Sequence, residues 1–208
     1  MDQALTILNH LGTLAFALAG AMGGVRKELD LFGVLVTALL PAIGGGTIRD
    51  LILDVPVFWV VSTVPIWIAL GAGLMAFLLA RHVERRRVVL DWADAVGLGI
   101  FAVVGAERAF TVTGDPLVSV MMGVSTGVLG GLIRDVVTFE FPMIMSPREL
   151  YATAAFGGAG TTVLVLMFQP EMGPWALWLG VVVSFVMRAG GMVFGWTLPR
   201  AKFPDSRE

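Results

Sequence analysis

Seven long apolar runs, separated by short polar punctuation, set the pattern of this chain. They predict spans at roughly Leu5–Gly24, Leu31–Leu53, Phe58–Ala80, Trp92–Thr111, Leu117–Thr138, Leu150–Phe168 and Trp175–Leu198. Each has the length, roughly 17–25 residues, that an α-helix needs to cross a bilayer. Asp30 and Asp115-Pro116 stand at span entrances, and Pro170, Pro174 and Pro199 stand just outside span ends, where helix punctuation belongs. Trp59, Trp92, Trp175, Trp178 and Trp196 fall near proposed ends, as an aromatic belt requires. The pattern predicts an all-α membrane protein with a single transmembrane domain over residues 1–208.

Composition agrees. Of the 208 residues, 57% are hydrophobic and 14% charged, against about 25% charged in a soluble domain. The absence of cysteine removes disulfides, thiol catalysis and thiolate metal sites, and two histidines, His10 and His82, are too few for a histidine metal cluster. The reading therefore includes no cofactor and no resident metal. The N-terminus lacks the basic start of a secretory signal, so the first span is expected to stay in the mature protein.

The basic residues assign an orientation. Arg26, Lys27, Arg81, Arg85, Arg86, Arg87, Arg148, Arg200, Lys202 and Arg207 all fall on one side of a seven-span chain. The opposite loops carry Asp54, Asp115 and Glu171 and no Lys or Arg. By the positive-inside rule the C-terminus is cytoplasmic and the N-terminus outside. Arg81 to Arg87 is a topology anchor that can also attract anionic lipid headgroups.

An internal repeat underlies the spans. An offset of 85 aligns Gly12 with Gly97, Phe16 with Phe101, Gly20 with Gly105, Gly45 with Gly130, Gly46 with Gly131, Arg49 with Arg134 and Asp50 with Asp135. Asn9 matches Asp94, and in the third span the match fades to Gly73 with Gly158. Repeat one covers about 4–83 and repeat two about 89–169, with an additional span over 175–198. Each unit holds three spans, an odd number, so the second enters from the opposite side: an inverted-topology repeat.

The two copies of one stretch concentrate the chemistry. Gly44-Gly45-Gly46-Thr47-Ile48-Arg49-Asp50 recurs as Gly130-Gly131-Leu132-Ile133-Arg134-Asp135, with Leu129 where the first copy has Gly44. Glycine weakens a helix interior by about 1 kcal/mol relative to alanine, and a charge at mid-membrane costs about 3 kcal/mol or more. Spans 2 and 5 are therefore expected to be broken at these glycines, with Pro41 assisting the first break. Freed carbonyls are hard-oxygen ligands for cations, and Thr37, Thr47, Ser125 and Thr126 can add hydroxyls. The competing reading is that the glycines only allow close helix packing.

Arg49-Asp50 and Arg134-Asp135 are neighbours in sequence and do not share a helix face, so each charge is expected to need another partner. Arg188 in span 7 and Glu107 in span 4 are the candidates. The arginines either clamp the spans or set the potential of a pore. Asp91 and Asp94 open span 4, where acidic residues suit a helix N-terminus, or else form a cation-collecting mouth.

On the two Gly–Arg-Asp stretches, the three-plus-three repeat and the unpaired seventh span, the chain resembles the prokaryotic trimeric intracellular cation channels, a family whose bacterial relatives are also labelled glycine transporter domains. The resemblance implies a homotrimer in the bacterial inner membrane with one pore per protomer for monovalent cations, chiefly potassium. It also implies that spans 2 and 5 line that pore at Gly44, Gly45, Gly46, Gly130 and Gly131. A secondary transporter for a small solute such as glycine uses the same half-helix geometry and stays open as the alternative. An intramembrane enzyme is disfavoured, since neither histidine has a recognisable nucleophile partner.

Overall fold

A computed structural model describes residues 1–79, 87–146 and 150–199. Its helices are α1 (Asp2–Arg26), α2 (Leu31–Ile52), the single turn α3 (Phe58–Val61), α4 (Val64–Leu79), α5 (Arg87–Thr113), α6 (Pro116–Val137), α7 (Ala152–Phe168) and α8 (Gly173–Phe194). No strand occurs among the described residues. Local chemistry sets the ends. The Asp30 and Asp115 carboxylates cap α2 and α6 by accepting from Gly33 N (2.8 Å) and Val118 N (2.9 Å). Helix α8 stops at Gly195, whose φ of 69° is left-handed and suits glycine.

Small residues set the packing. Gly20 and Gly24 of α1 lie against Thr37 and Val34 of α2, and Gly105 and Gly127 on α5 and α6 lie against Gly123 and Leu98 of the partner helix. Gly12 of α1 meets Ile100 of α5, while Phe16 meets Gly97. In all three pairs one helix is read backwards along the other, so each pair is antiparallel. Helices α2 and α6 consequently run in opposite directions, and their C-terminal turns lie at opposite ends of the bundle. Helix α1 packs on α2 and α4, and α5 packs in the same way on α6 and α7.

Matched hydrogen bonds recur at the 85-residue offset. Val55 N donates to Asp50 O (3.0 Å) as Glu140 N does to Asp135 O (2.8 Å), just after Asp54 and Phe139, each with φ of 53°. Phe16 and Phe101, themselves 85 apart, stack at the centre with ring centroids 5.4 Å apart. At one end Glu140 receives Lys27 Nζ (3.1 Å) and Arg26 Nη2 (3.9 Å), tying the end of α1 to the loop after α6. Burial nudges the Glu140 carboxyl upward, but the Lys27 hydrogen bond and the two charges hold it below the usual range.

Three sequence expectations change. Helix α2 continues through Pro41 and Gly44–Gly46, and α6 through Gly130–Gly131, with no unwound segment in either. The reason is packing: a Cβ on Gly45 would fall on the Thr126 carbonyl, and one on Gly130 would lie 2.5 Å from the Phe16 ring and 3.0 Å from the Pro41 carbonyl. The glycines let two backbones touch, which a full helix does as well as a broken one. Second, the expected span at Phe58–Ala80 is divided. Ser62 is extended (φ −139°, ψ 122°), and Pro65 sits in the first turn of α4, where its missing N–H costs nothing. Third, four helices (α1, α2, α5 and α6) and the segment Pro170–Phe194 have full spanning length, whereas α4 and α7 are shorter apolar helices among the described residues. Arg81, Arg85, Arg86 and Arg148 lie outside the described residues; Arg87 pairs with Asp91 on its own helix (3.5 Å).

Candidate functional site

Each Gly–Arg-Asp stretch ends in a buried charge cluster, one at either end of the bundle. In the second, Arg134 Nε and Nη2 donate to Asp135 Oδ1 (2.9 and 2.7 Å), and Nη1 pairs with Asp94 Oδ1. Tyr151 donates its hydroxyl to Asp94 Oδ1 (3.1 Å), and Asp135 Oδ2 accepts from Met143 N (2.8 Å). Arg188 adds a second guanidinium, 5.1 Å from the Tyr151 ring centroid. It and Arg134 both reach the Met143 sulfur, at 3.5 and 3.3 Å. Arg134, Asp94, Asp135, Tyr151 and Arg188 are each at most 3% exposed. They come from α5, α6, the approach to α7, and α8, so four elements meet at two cations and two carboxylates that are buried together.

The first cluster begins identically. Arg49 Nε and Nη2 bind Asp50 Oδ1 (2.8 and 2.7 Å), Asp50 Oδ2 accepts from Phe58 N (2.9 Å), and the guanidinium lies 5.9 Å from the Phe58 centroid. Phe58 is the 85-residue counterpart of Met143. Arg49 and Asp50 are buried like Arg134 and Asp135, and Asp94 Oδ2 in the second cluster has no hydrogen-bond partner. Arg49 Nη1 is buried without a hydrogen-bond partner, and so is Asn9 Oδ1 on the residue that corresponds to Asp94. Beside this cluster opens a cavity of about 420 Å³, lined among others by Asp2, Asn9, Asp50, Phe58, Glu107 and Arg108. Glu107 accepts from the Thr111 hydroxyl at 3.0 Å.

The side chains named from sequence are distributed unevenly over this arrangement. Adjacent Arg and Asp pair with each other after all: the long arginine folds back on a carboxylate held in the last helical turn by a backbone N–H. Arg188 joins the second cluster, and Glu107 borders the first. Asp94, read as an ordinary residue of a helix N-terminus or mouth, is fully buried on Arg134. Its one sequence signal was that a polar residue recurs at position 9. Tyr151 carried no signal at all. Gly46 and Gly131 make the clusters possible: a Cβ on Gly46 would strike the Phe58 ring, and one on Gly131 would strike the Tyr151 hydroxyl and come within 3.1 Å of Asp94 Oδ1. Gly44 faces Ile133 across the seam between α2 and α6.

The hydroxyls serve local bonds. Thr37 donates to Val34 O (3.1 Å), Thr47 to Ile43 O (2.7 Å) and Thr126 to Met122 O (2.6 Å). Thr47 also accepts from the Trp59 indole (2.8 Å). Ser125 is half-buried on α6.

A family model described as glycine transporter matches residues 6–81 and 91–167. Inner membrane protein YadS of Escherichia coli is 38% identical over 195 residues, 92% of this chain and 93% of that protein. A membrane protein of Deinococcus radiodurans is 40% identical over 176 residues, covering 84% and 80%. Among solved structures, a trimeric intracellular cation channel orthologue from Rhodobacter sphaeroides superposes with a TM-score of 0.87 at 39% identity, covering 92% of this chain and 98% of that one. A second structure, described as showing the basis of conductance through these cation channels, gives a TM-score of 0.84 at 35% identity, covering 97% and 98%. This chain is thus a multi-pass membrane protein of the trimeric intracellular cation channel family, to which the glycine-transporter description is also attached.

Proposed function

We propose that the protein is a potassium-preferring cation channel of the bacterial inner membrane, assembled as a homotrimer with one path in each protomer. The path follows the seam between α2 and α6. The observation that carries this reading is the cavity of about 420 Å³, walled by apolar and charged side chains together, that reaches Asp50, the close of the first Gly–Arg-Asp stretch, in a chain that shares its family with cation channels. Buried charge beside an open mouth is costly in a membrane unless something polar passes or binds there.

In this reading the two repeats are inverted, the chain crosses seven times, and the N-terminus and vestibule face outward. The end holding Arg26, Lys27 and Arg87 faces the cytoplasm, and Arg81, Arg85, Arg86 and Arg87 meet anionic headgroups. Gly44, Gly45, Gly46, Gly130 and Gly131 line the constriction, where bending at the glycines and Pro41 widens the seam for the ion. Thr37, Thr47, Ser125 and Thr126 border the route. Arg49, Asp50, Arg134, Asp135 and Arg188 set its potential. Purified protein in a planar bilayer is expected to give unitary currents whose reversal potential follows the potassium gradient.

A transporter for a small solute such as glycine is the second reading. The family description favours it, and inverted repeats suit alternating access. Saturable glycine counterflow without current would replace the channel reading with this one.

A further inference from the structure

Glu107 is a buried charge that neither Gly–Arg-Asp pair uses. It is 4% exposed, lies in the last two turns of α5 and lines the cavity of about 420 Å³. One of its oxygens accepts from the Thr111 hydroxyl; among the described residues the other has no hydrogen bond and no cation at ion-pair distance. A buried carboxylate with an unmet oxygen is costly unless something in the cavity meets it. Asn9 Oδ1, a buried acceptor without a partner, belongs to a residue of α1 that lines the same cavity. Arg108 lines it as well, is exposed, and forms no ion pair among the described residues. Between these groups the wall is apolar, with Leu5 and Val104 from the long helices and Phe58 and Val61 from α3. A cavity of this size, largely apolar with a few placed polar groups, is the common form of a small-molecule site.

We infer that this cavity binds a small zwitterion with an apolar body, an α-amino acid with an aliphatic side chain. Its ammonium group meets Glu107 and Asn9 Oδ1, its carboxylate meets Arg108, and its side chain lies against Leu5, Phe58, Val61 and Val104. An inorganic ion of either sign satisfies one of the two charges and leaves the other unmet. Free glycine meets both but leaves the apolar wall wet, whereas a larger aliphatic side chain gains the burial of that wall. Charge-assisted hydrogen bonds at both ends of the ligand fix its orientation. The inference rests on the cavity being an open mouth, as read above. It holds for a channel, whose mouth such a ligand plugs, and for a transporter, which carries it.

Equilibrium binding of radiolabelled L-leucine to the purified protein in nanodiscs tests this. Saturable binding is expected, with glycine competing about tenfold more weakly for want of the buried side chain. Two analogues separate the charges: 4-methylpentanoate lacks the amine and 3-methylbutylamine lacks the carboxylate. Each is expected to compete about tenfold more weakly than leucine, and E107Q and R108Q each to weaken leucine binding about tenfold, the loss of one charge-assisted hydrogen bond. Absence of saturable leucine binding, glycine competing as well as leucine, or unchanged affinity in either variant overturns the proposal. So does 3-methylbutylamine competing as well as leucine, which marks a site for a simple organic cation. Where E107Q fails to assemble, R108Q, at an exposed side chain, and the two analogues on the parent protein still decide the matter. Binding is read without current, so its failure leaves the channel reading standing, and a silent bilayer leaves the binding site standing.

Discussion

The two Gly–Arg-Asp clusters start from nearly the same residues and reach different states. Both hold an arginine against its own neighbouring aspartate, and both anchor that aspartate on a backbone N–H eight residues on. At Arg134 three further elements close over the pair with Asp94, Tyr151 and Arg188. At Arg49 the corresponding position offers an amide, and a cavity remains. The lesson is that an internal repeat can preserve the backbone frame of a charged pair while the side chains gathered around it differ. It also separates two roles of glycine in the motif: Gly45 and Gly130 bring α2 and α6 together, whereas Gly46 and Gly131 make room for the clusters.

The sharpest way to break the comparison is to remove each arginine in turn. R134A leaves Asp94 and Asp135 buried without their direct partner and with Arg188 as the remaining cation of the cluster, and breaking such a pair costs about 3–5 kcal/mol; loss of the assembled protein on size-exclusion chromatography is expected. R49A strands one directly paired carboxylate, beside a cavity that water can enter, so it is expected to lower the melting temperature in detergent by clearly less. Equal losses would mean that the two ends are equivalent.

A smaller effect separates the paired glycines. G131A pushes on the Tyr151 hydroxyl and on Asp94, both fully packed, and overpacking of this kind costs about 1–3 kcal/mol. G46A meets the edge of the half-buried Phe58 ring, which has the open cavity at its back, so its thermal shift is expected to be smaller. If G46A proves the more damaging, Phe58 is as fixed as Tyr151 and the first cluster is not the looser one.

The smallest effect concerns Glu140, outside the spans. Its carboxyl is held below the usual range, so its contribution is present above the unfolded carboxyl range and is lost as pH falls through the folded value. E140Q is expected to cost less than about 1 kcal/mol, since the pair is partly solvated. Melting curves of E140Q and the parent should converge at acidic pH. A difference that persists there would show that Glu140 acts through packing and not through charge.

Much of the architecture was legible along the chain. Apolar run lengths and the recurrence of Gly45, Arg49 and Asp50 at positions 130, 134 and 135 are one-dimensional facts, because a backbone crossing lipid must satisfy its own hydrogen bonds before any tertiary partner is found. Those facts located both charge sites to within a helical turn. Continuity of α2 and α6 was not legible. Glycine pairs fit a broken helix or a close crossing equally well, and only the Thr126 and Pro41 carbonyls lying against Gly45 and Gly130 select the crossing.

The pairing of charges belonged wholly to the tertiary structure. Asp94 and Arg134 are 40 residues apart, Tyr151 approaches from a third element and Arg188 from a fourth. No periodicity along a single helix can bring them together. The sequence by itself determined that this protein must bury arginines and aspartates in a membrane, twice and at a fixed spacing. Only the packed bundle decided that one set would gather Asp94, Tyr151 and Arg188 and the other border a cavity, because burial energy depends on what surrounds a charge in space and not on what precedes it in the chain.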